Sequence, residues 1–193
     1  MTARSWACLA ACWLALAANA TAQAQLSWTD LPPLPNTPGF GGPFVGSHNG
    51  RLIVAGGANF PTAPPWQGGE KAWHDTVFAL DPSATAWRNA GELDAPRAYG
   101  AAVSTRHGIA LIGGNDSGRA YDTCQLLVID QTTLRARFEA LPPLPARTAF
   151  PAAAASGDTI YVAAGSDGTD PTAMTHAFWS LDLAAEPRTW TSL

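Results

Sequence analysis

The stretch that decides the fold runs from Arg51 to Arg97. It opens as RLIVAGGANF (residues 51–60), passes through a loop, and resumes as HDTVFALDPSATAWRNAGELDAPR (residues 74–97). Three short apolar runs lie in it. One ends in Gly56-Gly57, one ends in Asp81-Pro82, and one surrounds Trp87. Each is strand-length, rich in β-branched or aromatic residues, and bounded by turn formers. Helical spacing is not sustained anywhere in the stretch.

The same order of features returns twice downstream. Gly113-Gly114 repeats Gly56-Gly57, and Ala164-Gly165 is a weaker third copy. LVID (residues 127–130) repeats FALD (residues 78–81), and Leu181-Asp182 repeats its end. Phe138 and Trp190 take the place of Trp87. His48-Asn49-Gly50, Arg106-His107-Gly108 and Ser156-Gly157-Asp158 supply the hairpin turn ahead of each diglycine, where Asn and Gly tolerate positive φ. Gly56 to Gly113 is 57 residues, Trp87 to Phe138 is 51, and Phe138 to Trp190 is 52. A period near fifty, with a diglycine after the second strand and an aromatic on the fourth, is the kelch pattern of one four-stranded propeller blade per repeat. The expected fold is therefore all-β, a kelch-type β-propeller with about three four-stranded blades, half of a six-bladed ring. The blades run over approximately residues 40–92, 97–141 and 147–193. Residues 26–31, around Trp28, are expected to form a strand of an adjoining blade.

Composition agrees. Charged residues are 13% of the 193, with 18 Gly and 16 Pro, as suits a turn-rich β protein. The formal charge of −4 gives no electrostatic reason to expect nucleic acid. Residues 1–24 read as a signal peptide. Arg4 is the positive end, Trp6 to Ala18 the apolar core, and Ala22-Gln23-Ala24 the small-x-small cleavage site. A periplasmic or secreted protein is expected, with no membrane contact once that segment is removed. Cys8 and Cys12 leave with it, so Cys124 stays alone in CQLLVID and reads as a small buried apolar residue. LPPLP occurs at 31–35 and again at 141–145. A proline-rich element recurring at one place in a repeat is a connector.

The first two units also resemble the N-acetylneuraminate (sialic acid) mutarotases, or epimerases, in a cyclically permuted branch. The resemblance is carried by LIVAGGANFP, GGEKAWHDTVFALD, GELDAPRAYGAAVS and IALIGGND, over roughly residues 44–130. It implies an isomerase that interconverts sialic acid anomers by acid/base ring opening and closure, with a small-molecule sugar acid as partner and no cofactor. The Glu and Arg that the family uses for catalysis are expected beyond Leu193, so no catalytic residue is assigned in this chain. A half-ring implies a partial sequence or self-association. The alternatives are a non-catalytic kelch module that binds glycan or protein, and an inactive truncated remnant.

Candidate binding residues follow from position and chemistry. The carboxylate of a sugar acid suits the planar fork of Arg. Arg97 stands where the interblade turn enters the inner strand, Tyr99 follows on the same side, and Arg147 is the expected equivalent one unit later. Asn59, Asn115 and Asp116 follow the diglycines, where they either bind sugar hydroxyls or shape turns. The loop over residues 58–73 is long enough to suggest function. Its end carries Glu70, Lys71 and His74, a conceivable acid/base group. No metal site is indicated, because the four His (48, 74, 107 and 176) are scattered. The diglycines lack the Lys and the strand–loop–helix setting of a phosphate loop.

Overall fold

The expected strands form in the order the repeat predicts. The computed structural model describes residues 26–35, 38–168 and 174–193, so the signal segment expected over residues 1–24 lies outside the described residues. By contact the chain divides into Met1–Leu31 and Pro32–Leu193. In the first unit, residues 26–31 carry no strand. The strand expected around Trp28 belongs to an adjoining blade, and residues 26–31 pair with no strand among the described residues.

The second unit begins with β1 (Phe44–His48) and β2 (Arg51–Ala55), then a small ribbon of β3 (Ala58–Asn59) and β4 (Ala72–Trp73), then β5 (Thr76–Leu80) and β6 (Arg88–Glu92). The next four strands are β7 (Ala101–Thr105), β8 (Gly108–Ile112), β9 (Cys124–Ile129) and β10 (Ala136–Leu141). The last are β11 (Ala152–Ser156), β12 (Thr159–Ala163), β13 (Phe178–Asp182) and β14 (Thr191–Ser192). They make three antiparallel four-stranded sheets, β1-β2-β5-β6, β7-β8-β9-β10 and β11-β12-β13-β14. Each sheet is an up-and-down meander, and the first strands are neighbours, with β1 and β11 on either side of β7. β1 and β7 approach so closely that a Cβ on Gly46 would press on Ile109 and Ser104, which is why the inner strand is built from small residues.

Side-chain alternation in the middle sheet explains why its strands read as nearly unbroken apolar runs. Successive residues of a strand point to opposite faces. In β8, Ile109 and Leu111 join the core shared with the first sheet, alongside Phe44, Ile53, Val77 and Ala79. Ala110 and Ile112 join the core shared with the third sheet, alongside Ile160, Val162, Trp179 and Leu181. β9 divides in the same way, Leu127 and Ile129 to one side and Cys124 and Leu126 to the other. Each such Leu or Ile taken fully out of water contributes roughly 1.5–3 kcal/mol, so the two interblade cores hold the blades together.

The diglycines bind each blade to the next. Gly56 and Gly57 have φ of 63° and 101°, and Gly113 and Gly114 have 61° and 96°, a region that L side chains rarely adopt. The Gly57 amide donates to the Arg97 carbonyl, and the Gly114 amide to the Thr148 carbonyl, both at 2.8 Å. A Cβ at Gly56 or Gly113 would overlap those same carbonyls. This bond fixes the structural register, and it corrects the alignment of Arg97 with Arg147. Thr148 holds the place of Arg97, and Arg147 falls one residue earlier on the exposed surface. The hairpin turns are likewise Asn49–Gly50, Arg106–His107 and Gly157–Asp158, one residue off the sequence alignment in the second unit.

The proline-rich connectors have a defined structural role. The Trp87 indole N–H donates to the Pro32 carbonyl at 2.7 Å, and the Trp190 indole N–H to the Pro142 carbonyl at 2.8 Å. Trp87 and Trp190 stand just ahead of the outer strands β6 and β14, whereas Phe138 lies inside β10 opposite Leu127, two residues further in than the repeat predicts, and has no N–H to offer. Among the described residues no helix is long and apolar enough to cross a membrane.

Candidate active site

The strand order sends the diglycines, the long loop and the entries to the inner strands to one end of the blades. Three equivalent residues at those entries, Gly42, Tyr99 and Phe150, have φ of 59°, 59° and 56°. A left-handed conformation costs a non-glycine residue roughly 1–2 kcal/mol, so Tyr99 and Phe150 are held there by their surroundings. The Tyr99 amide donates to the Gly42 carbonyl at 2.8 Å, and the Phe150 amide to the Tyr99 carbonyl at 2.7 Å. These bonds link the three entries in series. The kink lifts both rings out at the mouth. They lie 4.9 Å apart, centroid to centroid, and Phe150 is 45% exposed.

Tyr99 also walls a cleft of about 810 Å³, with Phe40, Phe60 and Trp66 as its other aromatic walls and Asn59 and Thr62 among its polar ones. The long loop that shapes the cleft is ordered by its own chemistry. A single 3-10 turn at Pro65–Gln67 ends on Gly68, at φ 79°, and β3 and β4 pair the two ends of the loop. Asn59 is buried. Its amide donates to the Gly39 carbonyl at 2.9 Å, and its carbonyl oxygen lies 2.8 Å from His74 Nε2. Both ends of the Asn59 side chain are thus engaged in holding the loop, and the His74 ring is engaged with them.

Lys71 does not line this cleft but packs on the ring of Tyr99, which does. Its Nζ lies 4.3 Å from the centre of the Tyr99 ring and 4.9 Å from that of Trp73. With Trp73, Asp116 and Tyr121 it also lines a neighbouring pocket of about 370 Å³. The Trp73 indole reaches Asn115 Oδ1 at 3.3 Å, tying the first blade to the second. Asp116 accepts from the Gly118 and Arg119 amides and from the Tyr121 hydroxyl, the last at 2.6 Å. Burial pushes the Asp116 carboxyl up, but these three donors outweigh it and hold the group below the usual aspartate range. Burial and the bond to Asp116 hold Tyr121 above the usual tyrosine value.

The structure therefore separates the residues that the sequence grouped. Tyr99 and Asn59 meet on the cleft, and Lys71 joins them through Tyr99. Arg97 does not reach it. At 1% exposure it is wedged between the first two blades, bonded to Asp94 at 2.7 Å and lying over the rings of Tyr121 and Phe44. Tyr99 and Arg97 part company because the left-handed residue breaks the alternation of the strand. Arg147 is exposed and has no ion pair among the described residues. Glu70 is exposed too and makes no bond to His74. Cys124 is buried, and desolvation pushes its thiol up to about 12. The sequence reading missed Phe150, although the signal was present: RAYGA at 97–101 and TAFPA at 148–152 align without a gap. Among the described residues no group of three His, Cys, Asp or Glu is placed to hold a metal ion.

Comparison with known proteins adds the following. The family model for N-acetylneuraminate epimerase matches residues 15–136. An N-acetylneuraminate epimerase of Haemophilus influenzae (strain PittEE) is 34% identical over 120 residues, 54% of this chain and 32% of the relative. One from Pasteurella multocida (strain Pm70) is 35% identical over 123 residues, with the same coverage of 54% and 32%. One from Yersinia pestis (strain Pestoides F) is 40% identical over 91 residues, 42% of this chain and 22% of the relative. The matched segment thus covers at most 32% of the length of these curated relatives. A solved structure titled "Structure of YjhT" superposes with a TM-score of 0.70 at 16% identity, over 90% of this chain and 56% of that one. The fold is that kelch-type propeller, represented here by three blades.

Proposed function

The chain belongs to the N-acetylneuraminate epimerase family, and from that premise we propose that it takes part in interconverting the anomers of N-acetylneuraminate. In this reading it works outside the cytoplasm, after loss of residues 1–24. The observation that carries the proposal is the aromatic mouth formed by Tyr99 and Phe150 beside the 810 Å³ cleft. A sugar ring presents an apolar face of C–H groups with polar groups at its edge. Aromatic rings set at a fixed angle offer that face a surface while leaving the edge to polar groups. The cleft volume falls in the range of small-molecule sites, about 300–1,000 Å³.

Anomer exchange opens a cyclic hemiketal and closes it on the other face. One group removes the anomeric hydroxyl proton while another protonates the ring oxygen. Residues of these blades bind and orient the sugar in this scheme. Tyr99 and Phe150 support the ring, and Asn59 and His74 keep the loop wall in place.

A second reading is binding without catalysis. It is favoured by the way the polar side chains at and around the cleft are used: Asn59 on its wall, His74 behind Asn59 and Asp116 in the neighbouring pocket are all engaged in internal hydrogen bonds. Proton NMR of the exchange between α and β N-acetylneuraminate separates the two. Acceleration proportional to the concentration of the chain supports the isomerase. Saturable binding with no acceleration leaves the binding module.

A further inference from the structure

We propose that Lys71 is the anchor for the carboxylate of the bound sugar acid, a role that rests on the reading above and takes the place of Arg97 in it. Lys71 is the only lysine in the chain. Six arginines, at positions 51, 88, 97, 106, 137 and 188, are each paired with an Asp or Glu. Lys71 has no carboxylate partner among the described residues. Its ammonium instead lies over two aromatic faces, Tyr99 and Trp73.

That arrangement suits an anion site. The ring faces attract the cation and fix where it sits. They displace water from part of it without neutralising it, so a carboxylate that arrives meets a positioned and only partly hydrated charge. The nearby acids do not compete. The carboxylate of Asp116, on the same pocket wall, is occupied by two amides and the Tyr121 hydroxyl. Glu70, next in the chain, is exposed and makes no ion pair among the described residues. Arg97, the natural choice by chemistry, is buried and already bonded to Asp94.

Geometry completes the argument. Tyr99 is shared, since it walls the cleft and carries the ammonium. A sugar ring resting against Tyr99 has Lys71 at its border, where the carboxylate of a 2-keto sugar acid projects. The ligand class is thus a monocarboxylate on a pyranose ring, and the charge selects it over neutral amino sugars of similar shape.

The test measures dissociation constants of the full chain for N-acetylneuraminate and for its methyl ester, which keeps the ring and removes the charge. Lys71→Met is expected to weaken binding of the acid about tenfold and leave the ester unchanged, while Lys71→Arg retains most of the affinity. Equal loss of acid and ester, or no loss of either, overturns the proposal. Should Lys71→Met fail to fold, the wild-type chain decides: preference for the acid that fades with added salt supports the site, and equal affinity for acid and ester overturns it. Lys71-dependent binding of the acid without accelerated anomer exchange removes the isomerase reading and leaves the carboxylate site standing. No binding of the acid by the wild-type chain removes both.

Discussion

The amide of Phe150 donates to the carbonyl of Tyr99 at 2.7 Å, and their rings lie 4.9 Å apart. Two residues 51 positions apart in sequence, at equivalent places in successive blades, thus pack ring on ring, and Tyr99 lines the cleft. Replacing Tyr99 by Ala removes the ring that also carries Lys71. Affinity for N-acetylneuraminate is expected to fall about tenfold, since an aromatic contact and a cation–π contact are each worth roughly 0.5–1.5 kcal/mol. Tyr99→Phe keeps the ring and is expected to bind within about twofold of wild type. Calorimetric titration of the two variants checks this, and a large loss in the Phe variant would contradict the platform role.

Equivalent positions give opposite signs when glycine and alanine are exchanged. Gly113 has φ 61°, and a Cβ there would overlap the Thr148 backbone carbonyl. Gly113→Ala is expected to lower unfolding free energy by about 3 kcal/mol, from the left-handed conformation plus a clash with backbone that cannot move aside. Ala164 holds the same place in the third blade with φ 57°. Ala164→Gly is expected to raise stability by up to about 1 kcal/mol, because relief of the left-handed strain exceeds the added entropy of the unfolded chain. Urea denaturation of both variants measures the pair.

The Arg97–Asp94 pair is asymmetric, with side-chain exposures of 2% and 56%. Removing Asp94 leaves a buried guanidinium whose Nε already lacks a partner among the described residues. Asp94→Ala is therefore expected to destabilise by about 3 kcal/mol, whereas Arg97→Met, which fills the space without charge, is expected to stay within about 1 kcal/mol of wild type. The reverse order in thermal denaturation would show that the cation itself is needed between the blades.

Asp81, at the end of the blades opposite the cleft, bonds to Arg51 and Arg88. The Arg51 hydrogen bond, reinforced by the charges of both arginines, holds its carboxyl below the ordinary 3.8. A folded-state value below the unfolded one adds stability above pH 3.8 and loses it as pH falls through the folded value. The urea midpoint of the wild type is expected to fall between about pH 5 and pH 2. Asp81→Asn should start lower at pH 7 and show a smaller fall, so that the two curves converge in acid. Curves that stay parallel would remove the linkage.

Much of the architecture was legible because it repeats. The period near fifty, the diglycines and the tryptophans at 87 and 190 report local backbone and packing requirements that recur from blade to blade. The burial of Cys124 was equally legible from its apolar run. The binding residues were harder to read. Matching Arg97 to Arg147 compared residue types, whereas the molecule sets its register through the Gly114 amide and the Thr148 carbonyl. Alternation placed Arg97 and Tyr99 on one side, and the left-handed Tyr99 cancels that rule.

By itself the sequence determined the kind of blade, the strand order and the positions where only glycine fits, because these depend on neighbours close in the chain. Tertiary structure alone decided which cation stands over Tyr99, the ring that lines the cleft. Arg97 and Lys71 both stand beside loops at the same end, and only the packing of the first blade against the second buries one on Asp94 and lays the other across Tyr99 and Trp73. The reason is that burial of a charge depends on groups brought together across sequence separations of tens of residues, which no local pattern records.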